Sequence, residues 1–146
     1  MKSIKVREID IPMSQMLFTT INEENIEILV RTFYPEVLKD ALLAPFFIAK
    51  LGDDIQSQEW EEHLVLLTEF WKFVSLGYDN YTGNPLQPHF HIADLSAEAF
   101  ARWLSVFHQT VDRLYTPSVG EYFKQKSTNI AENFMRKLGI SRPNPH

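Results

Sequence analysis

The sequence predicts an all-α domain, and three observations carry that prediction. Four stretches have apolar residues recurring at i, i+3, i+4 and i+7. Good helix-opening residues, Asn22, Ser57 and Ser96, stand directly ahead of three of them, and no alternating run is long enough to promise a sheet. With 146 residues, 45% of them hydrophobic and 23% charged, the chain is sized for one domain with one core.

Residues 1–18 read as an N-terminal arm: Ile4, Val6, Ile9 and Ile11 fit no sustained helical period, and Pro12 interrupts them. The domain proper spans 19–140, and 141–146 is a polar tail with two prolines. The first helix begins after Asn22, an N-cap followed by Glu23 and Glu24, which sit favourably against the helix dipole. Its buried stripe is Ile26, Leu29, Val30, Phe33 and Val37. Pro35 removes a backbone bond inside this pattern and is expected to kink the helix or end its regular part early, leaving Tyr34 at a bend. Between Leu42 and Leu51, Ala44-Pro45-Phe46-Phe47 reads as a corner that carries aromatic side chains inward.

The clearest helix opens at Ser57, continues through acidic Glu59, Glu61 and Glu62, and closes at Gly77. Trp60, His63, Leu64, Leu67, Phe70, Trp71 and Val74 share one face, which puts His63 on a buried stripe. Tyr78 to Pro88 is expected to be mostly loop with at most a short helix before His89. Ser96 opens the next helix, carried by Phe100, Trp103, Leu104, Phe107, Val111 and Leu114, and Pro117 is expected to terminate it. The last helix is expected to start with a capping box, Ser118-Val119-Gly120-Glu121, and to pack through Phe123, Ser127, Ile130, Phe134 and Leu138 before Gly139.

Composition removes several classes of function. The 19 acidic and 14 basic residues leave a net charge of −5, which gives no footprint for a phosphate backbone and disfavours a nucleic-acid partner. Without cysteine there is no disulfide framework, thiolate ligand, iron–sulfur cluster or covalent haem attachment. No apolar run approaches the roughly 18 residues of a membrane span, and the N-terminus lacks the continuous apolar stretch of a secretory signal, so no membrane partner and a cytoplasmic location are expected. The aromatic share of 13% is high for so small a domain and suits a core wrapped around a flat apolar ligand, or simply an aromatic core.

One segment concentrates the chemistry. Pro85-Leu86-Gln87-Pro88-His89 places a histidine on a short, proline-stiffened stretch between two amphipathic helices, with His63 on one helix and Trp103 on another. An iron in a haem needs such a set: one axial ligand and a lined opposite face. Phe33-Tyr34, Ala44-Pro45-Phe46-Phe47, Glu59-Trp60-Glu61-Glu62-His63 with Phe70-Trp71, Pro85-Leu86-x-x-His89, and Trp103-Leu104 occur in this order and spacing. Over about Thr19 to Leu138 the chain thereby resembles the truncated haemoglobins of the bacterial group III class.

The resemblance implies a shortened globin fold, a two-over-two helical sandwich around non-covalent haem b, with His89 as the proximal iron ligand. His91, two residues on, is the rival, and only His89 matches the family's motif. Tyr34, His63, Leu67 and Trp103 are implied on the ligand side. There a phenol hydroxyl and an indole N–H can donate to a partly negative oxygen, and His63 is either a third donor or a gate. Phe47 matches the phenylalanine that packs on the porphyrin; Trp71 and Phe107 are assigned to its surround with His63, Leu67, His89 and Trp103, and Phe100 and Phe134 to walls or core. No catalytic residue is assigned.

The implied function is reversible binding of oxygen and other diatomics, in storage or transport, with nitric oxide or peroxide redox chemistry as an extension. Nitric oxide, carbon monoxide and peroxide are accordingly the further ligands. No glycine-rich fingerprint for flavin or nicotinamide is present, so the redox version needs a separate reductase. Competing readings are an oxygen or redox sensor module, a non-haem metal site of His89, His91 and Asp94, and a helical interaction module whose aromatics are all core.

Overall fold

The computed structural model describes residues 16–78, 89, 92 and 94–140. Over these the chain forms five helices, α1 (Glu23–Lys39), α2 (Ala44–Leu51), α3 (Gln58–Leu76), α4 (Ala97–Leu114) and α5 (Pro117–Leu138). Helix α1 is the hub: it packs against α2, α3 and α4, and α4 packs in turn against α5. The all-helical expectation holds. Residues 1–15, which make up most of the expected arm, lie outside the described residues, as do 79–88, His91 and the tail 141–146.

Local chemistry explains where the helices start. Asn22 and Asn25 form a reciprocal cap: each side-chain oxygen accepts the other's backbone N–H, at 2.9 and 3.0 Å. Ser57 accepts from the Trp60 amide and Ser96 from the Ala99 amide, while Gly77, at φ 74°, closes α3 in the left-handed conformation.

Of the two alternatives expected at Pro35, an early end to the helix is ruled out, and the expectation at Pro117 is corrected. Helix α1 runs without interruption through Pro35 to Lys39. Pro35 leaves only the Arg31 carbonyl without its helical donor, and fully buried Val37 holds the final turn against the core. Pro117 opens α5 as its first residue instead of ending α4, whose last residue is Leu114. Its fixed φ suits a first helical position, where the missing N–H has no partner to lose. The expected capping box is therefore displaced: Thr116 takes the cap position with no side-chain bond, and Ser118 lies inside the helix.

The core forms where these stripes converge, with Ile26, Leu29, Phe33, Val37, Trp60, Phe107, Val111, Tyr115 and Phe123 essentially inaccessible. Its buried polar residues Asn25, Thr68, Thr110 and Ser127 are hydrogen-bonded, while the Ser75 hydroxyl of α3 has no partner among the described residues. The Tyr115 hydroxyl donates towards the Asn25 side-chain and backbone oxygens at 2.8 and 3.0 Å, and the Asn25 amide donates to the Thr20 carbonyl. Phe18 and Tyr115 form a short parallel bridge, which ties the segment ahead of α1 to the α4–α5 corner. On the surface Arg31 of α1 grips Glu61 of α3 through two bonds of 2.9 and 3.0 Å, and Arg102 of α4 reaches Asp40 at the end of α1 at 2.9 Å.

Candidate functional site

The helices leave an apolar cavity of about 500 Å³ between them. One wall is Tyr34 of α1 with Phe46, Phe47 and Leu51 of α2. A second is His63, Leu67, Phe70 and Trp71 of α3, and a third is Ala99, Phe100 and Trp103 of α4 with Ile130, Ala131 and Phe134 of α5. His89, Ile92 and Leu95 complete it from the segment ahead of α4. The volume lies within the range of about 300–1,000 Å³ that houses a small-molecule ligand.

The periodicity of α3 turns His63, Leu67 and Trp71 to one face, so three of the expected residues reach the cavity from one helix. His63 is half-buried against Trp60 and Tyr34, with ring centroids 5.6 and 5.8 Å away. Burial first, and the nearby His89 second, lower its pKa to about 4, so it is neutral at physiological pH. His89 rests against Phe134 at 5.0 Å, nearly edge-on, and more loosely on Phe100 at 6.5 Å. Its carbonyl accepts the Ile92 amide at 3.3 Å.

Tyr34 is buried, and burial pushes its phenol well above the usual range, opposed by the Trp103 indole N–H that approaches its oxygen. The phenol therefore keeps its proton and remains a donor. Its ring is boxed edge-on by Phe33, Phe47 and His63. Trp60 supports this corner from behind, its indole N–H donating to the Gly52 carbonyl at 2.8 Å while its ring stacks on Phe47.

Of the residues singled out in the sequence, Tyr34, Phe47, His63, Leu67, Trp71, His89 and Trp103 come together on this one cavity. Phe107 does not line it. It lies one layer behind, stacked between the Trp71 and Trp103 rings at 5.2 Å from each and 1% exposed. Phe100 and Phe134, left between wall and core by their spacing, both line the cavity. Leu43, Leu66 and Lys50 also line it without having been singled out: Leu43 stands just ahead of α2, Leu66 lies on the more exposed side of α3, and no local pattern marks the lysine. His91 lies outside the described residues; Asp94 is exposed, in a left-handed conformation at φ 63°.

Five helices wrapped around one aromatic-walled cavity, with imidazoles from α3 and from the segment before α4, form a shortened globin. A crystal structure of the group III truncated haemoglobin from Campylobacter jejuni matches the chain with a TM-score of 0.78 at 34% identity, covering 84% of this chain and 95% of that one. The curated Group 3 truncated hemoglobin ctb of the same species is 33% identical over 123 residues, 84% of this chain and 95% of the relative. No family model matches the chain. The chain belongs to the group III truncated haemoglobins.

Proposed function

We propose that this chain binds haem b non-covalently in the cavity and uses it to bind oxygen and other diatomic ligands reversibly. The carrying observation is one apolar cavity that collects two imidazoles and two polar hydrogen donors in a chain of this family. The residues present suit the group: a flat apolar ring system matches walls made of Phe47, Leu67, Trp71 and Phe100, and imidazole is the usual globin ligand to iron. In this reading His89 is the iron ligand, and Tyr34, His63, Leu67 and Trp103 face the diatomic. The globin domain is taken as 19–140.

Haem would supply an iron that accepts a diatomic ligand and can change oxidation state. The chain's own contribution is polar and steric. The neutral Tyr34 phenol and the Trp103 indole each offer one hydrogen to a partly negative ligand atom, while Leu67 and the surrounding rings exclude water. Neutral His63 can donate one more hydrogen without bringing a charge into the cavity. Several donors around one ligand favour tight retention, which supports an extension to nitric oxide or peroxide chemistry with electrons from a separate reductase. No described helix is long and apolar enough to cross a membrane, and a cytoplasmic location fits the reading.

Titration with haemin tests the proposal. A Soret band that is lost in His89→Ala and kept in His91→Ala supports it. The opposite pattern transfers the iron to His91, and a chain that takes up no haemin overturns the reading altogether.

A further inference from the structure

Among the described residues the cavity wall contains a single side chain with a permanent charge, Lys50. It sits in the last turn of α2, three residues beyond Phe47, and is exposed, as is Leu66 across from it on α3, so the cavity meets solvent between these two helices. A lysine in the last turn of a helix is favourable against the helix dipole wherever it points. Its place in the wall of an apolar cavity is not required by that effect.

Three basic side chains of the neighbouring elements are committed. Arg31 pairs with Glu27 and Glu61, Lys72 with Glu69 and Glu23, and Arg102 with Asp40. Among the described residues Lys50 makes no ion pair or hydrogen bond, although Asp53 and Asp54 follow it closely in the chain. The cavity therefore combines an apolar body with one uncommitted cation at its mouth, in a chain whose net charge of −5 otherwise repels anions. The complementary ligand has a flat apolar body and carboxylates along one edge.

Resting on the haem reading, the geometry points to Lys50 as the residue that pairs with a haem propionate at the mouth between α2 and α3 and slows loss of the group. The ammonium is exposed, so the pair is of the screened surface kind and modest in strength. Its contribution is to hold one edge of the ring system while the cavity holds the face.

The test follows transfer of haemin from the loaded protein to an excess of scavenging apoglobin, at low ionic strength, for the parent, Lys50→Arg, Lys50→Gln and Lys50→Glu. Haemin should leave Lys50→Gln about twofold to fivefold faster than the parent, Lys50→Glu faster still, and Lys50→Arg at close to the parental rate. Raising the salt to about 1 M should bring the rates of the parent and Lys50→Gln together. With the dimethyl ester of haemin, which lacks the negative charges, the four proteins should lose their ligand at one rate. Equal rates for parent and Lys50→Gln with haemin, or a difference that persists in high salt, overturn the assignment and leave the haem reading intact. Failure of the parent to take up haemin removes both.

Discussion

The Phe107 and Trp103 rings lie 5.2 Å apart and within 4° of parallel, and on its other face Phe107 repeats the arrangement with Trp71 at 5.2 Å and 15°. Phe33 closes the stack edge-on, 5.1 Å from Phe107 and 5.3 Å from Trp103. Two indoles that face the cavity are thus spaced by a ring that does not. The consequence is a division of labour within α4: Trp103 lines the cavity, and Phe107, one turn on, packs flat against that indole.

Removing the spacer should therefore act on stability and on the cavity together. Phe107→Ala is expected to lower unfolding free energy by about 3–5 kcal/mol, the range for a large buried aromatic truncated to a methyl. Phe107→Leu should lose less, because it keeps most of the volume. Urea unfolding followed by far-ultraviolet circular dichroism measures both, and a loss under about 1 kcal/mol for Phe107→Ala would show that the stack is not packed as described.

The tie between Tyr115 and Asn25 is the next point of failure. Tyr115→Phe keeps the ring against Phe123 and Phe18 and removes only the hydroxyl that serves the Asn25 side-chain and backbone oxygens. The Asn25 side-chain oxygen keeps the Asn22 amide as a donor, so the expected cost is that of one lost hydrogen bond, about 0.5–1.5 kcal/mol, read as a shift of the urea midpoint with an unchanged slope.

Asp40 gives the fold a pH dependence. Burial raises its pKa, but the bonds from Arg102 and from the Leu43 and Leu42 amides outweigh this and leave the carboxyl below its ordinary value. A carboxylate with a lowered native pKa stabilises the fold fully above the unfolded value of about 4, and loses that contribution as pH falls through the native one. Asp40→Ala should accordingly be about 1–2 kcal/mol less stable than the parent near pH 7, with the gap narrowing below about pH 4. Asp40→Asn, which can still accept from the two amides, should fall between them. A gap independent of pH down to about pH 2 would mean that the charge contributes nothing.

Spacing encodes which face of a helix a residue takes. The 3.6-residue period turned His63, Leu67 and Trp71 to one face, and capping chemistry marked Asn22, Ser57 and Ser96 as helix starts. Period alone does not say whether an inward residue lies in the first layer around a cavity or the second, and so Phe107 was placed in the wall and Phe134 left undecided. Proline is ambiguous in the same way, since Pro117 is compatible with ending one helix or beginning the next, and Pro35 with a break or with a single missing bond. Lys50 was illegible for another reason: an exposed lysine at a helix end has an ordinary local explanation, and only the shape of the cavity gives it a second one.

Helix α1 continues through Pro35 to Lys39, and the Tyr34 hydroxyl stands in a buried corner beside Trp103. Under the proposed function both groups donate to oxygen, whose outer atom carries partial negative charge, while carbon monoxide accepts hydrogen bonds weakly. A hydrogen bond to a charged partner contributes about 1.5–3 kcal/mol, so Tyr34→Phe or Trp103→Phe should speed oxygen release by about tenfold to a hundredfold. Carbon monoxide release should change far less, which separates a lost donor from a loosened cavity, because loosening would speed both gases. Stopped-flow release kinetics of the two gases on the haem-loaded variants make the measurement. Oxygen release within about twofold of the parent in both variants would mean that neither group reaches the ligand, and would leave neutral His63 as the donor to test next.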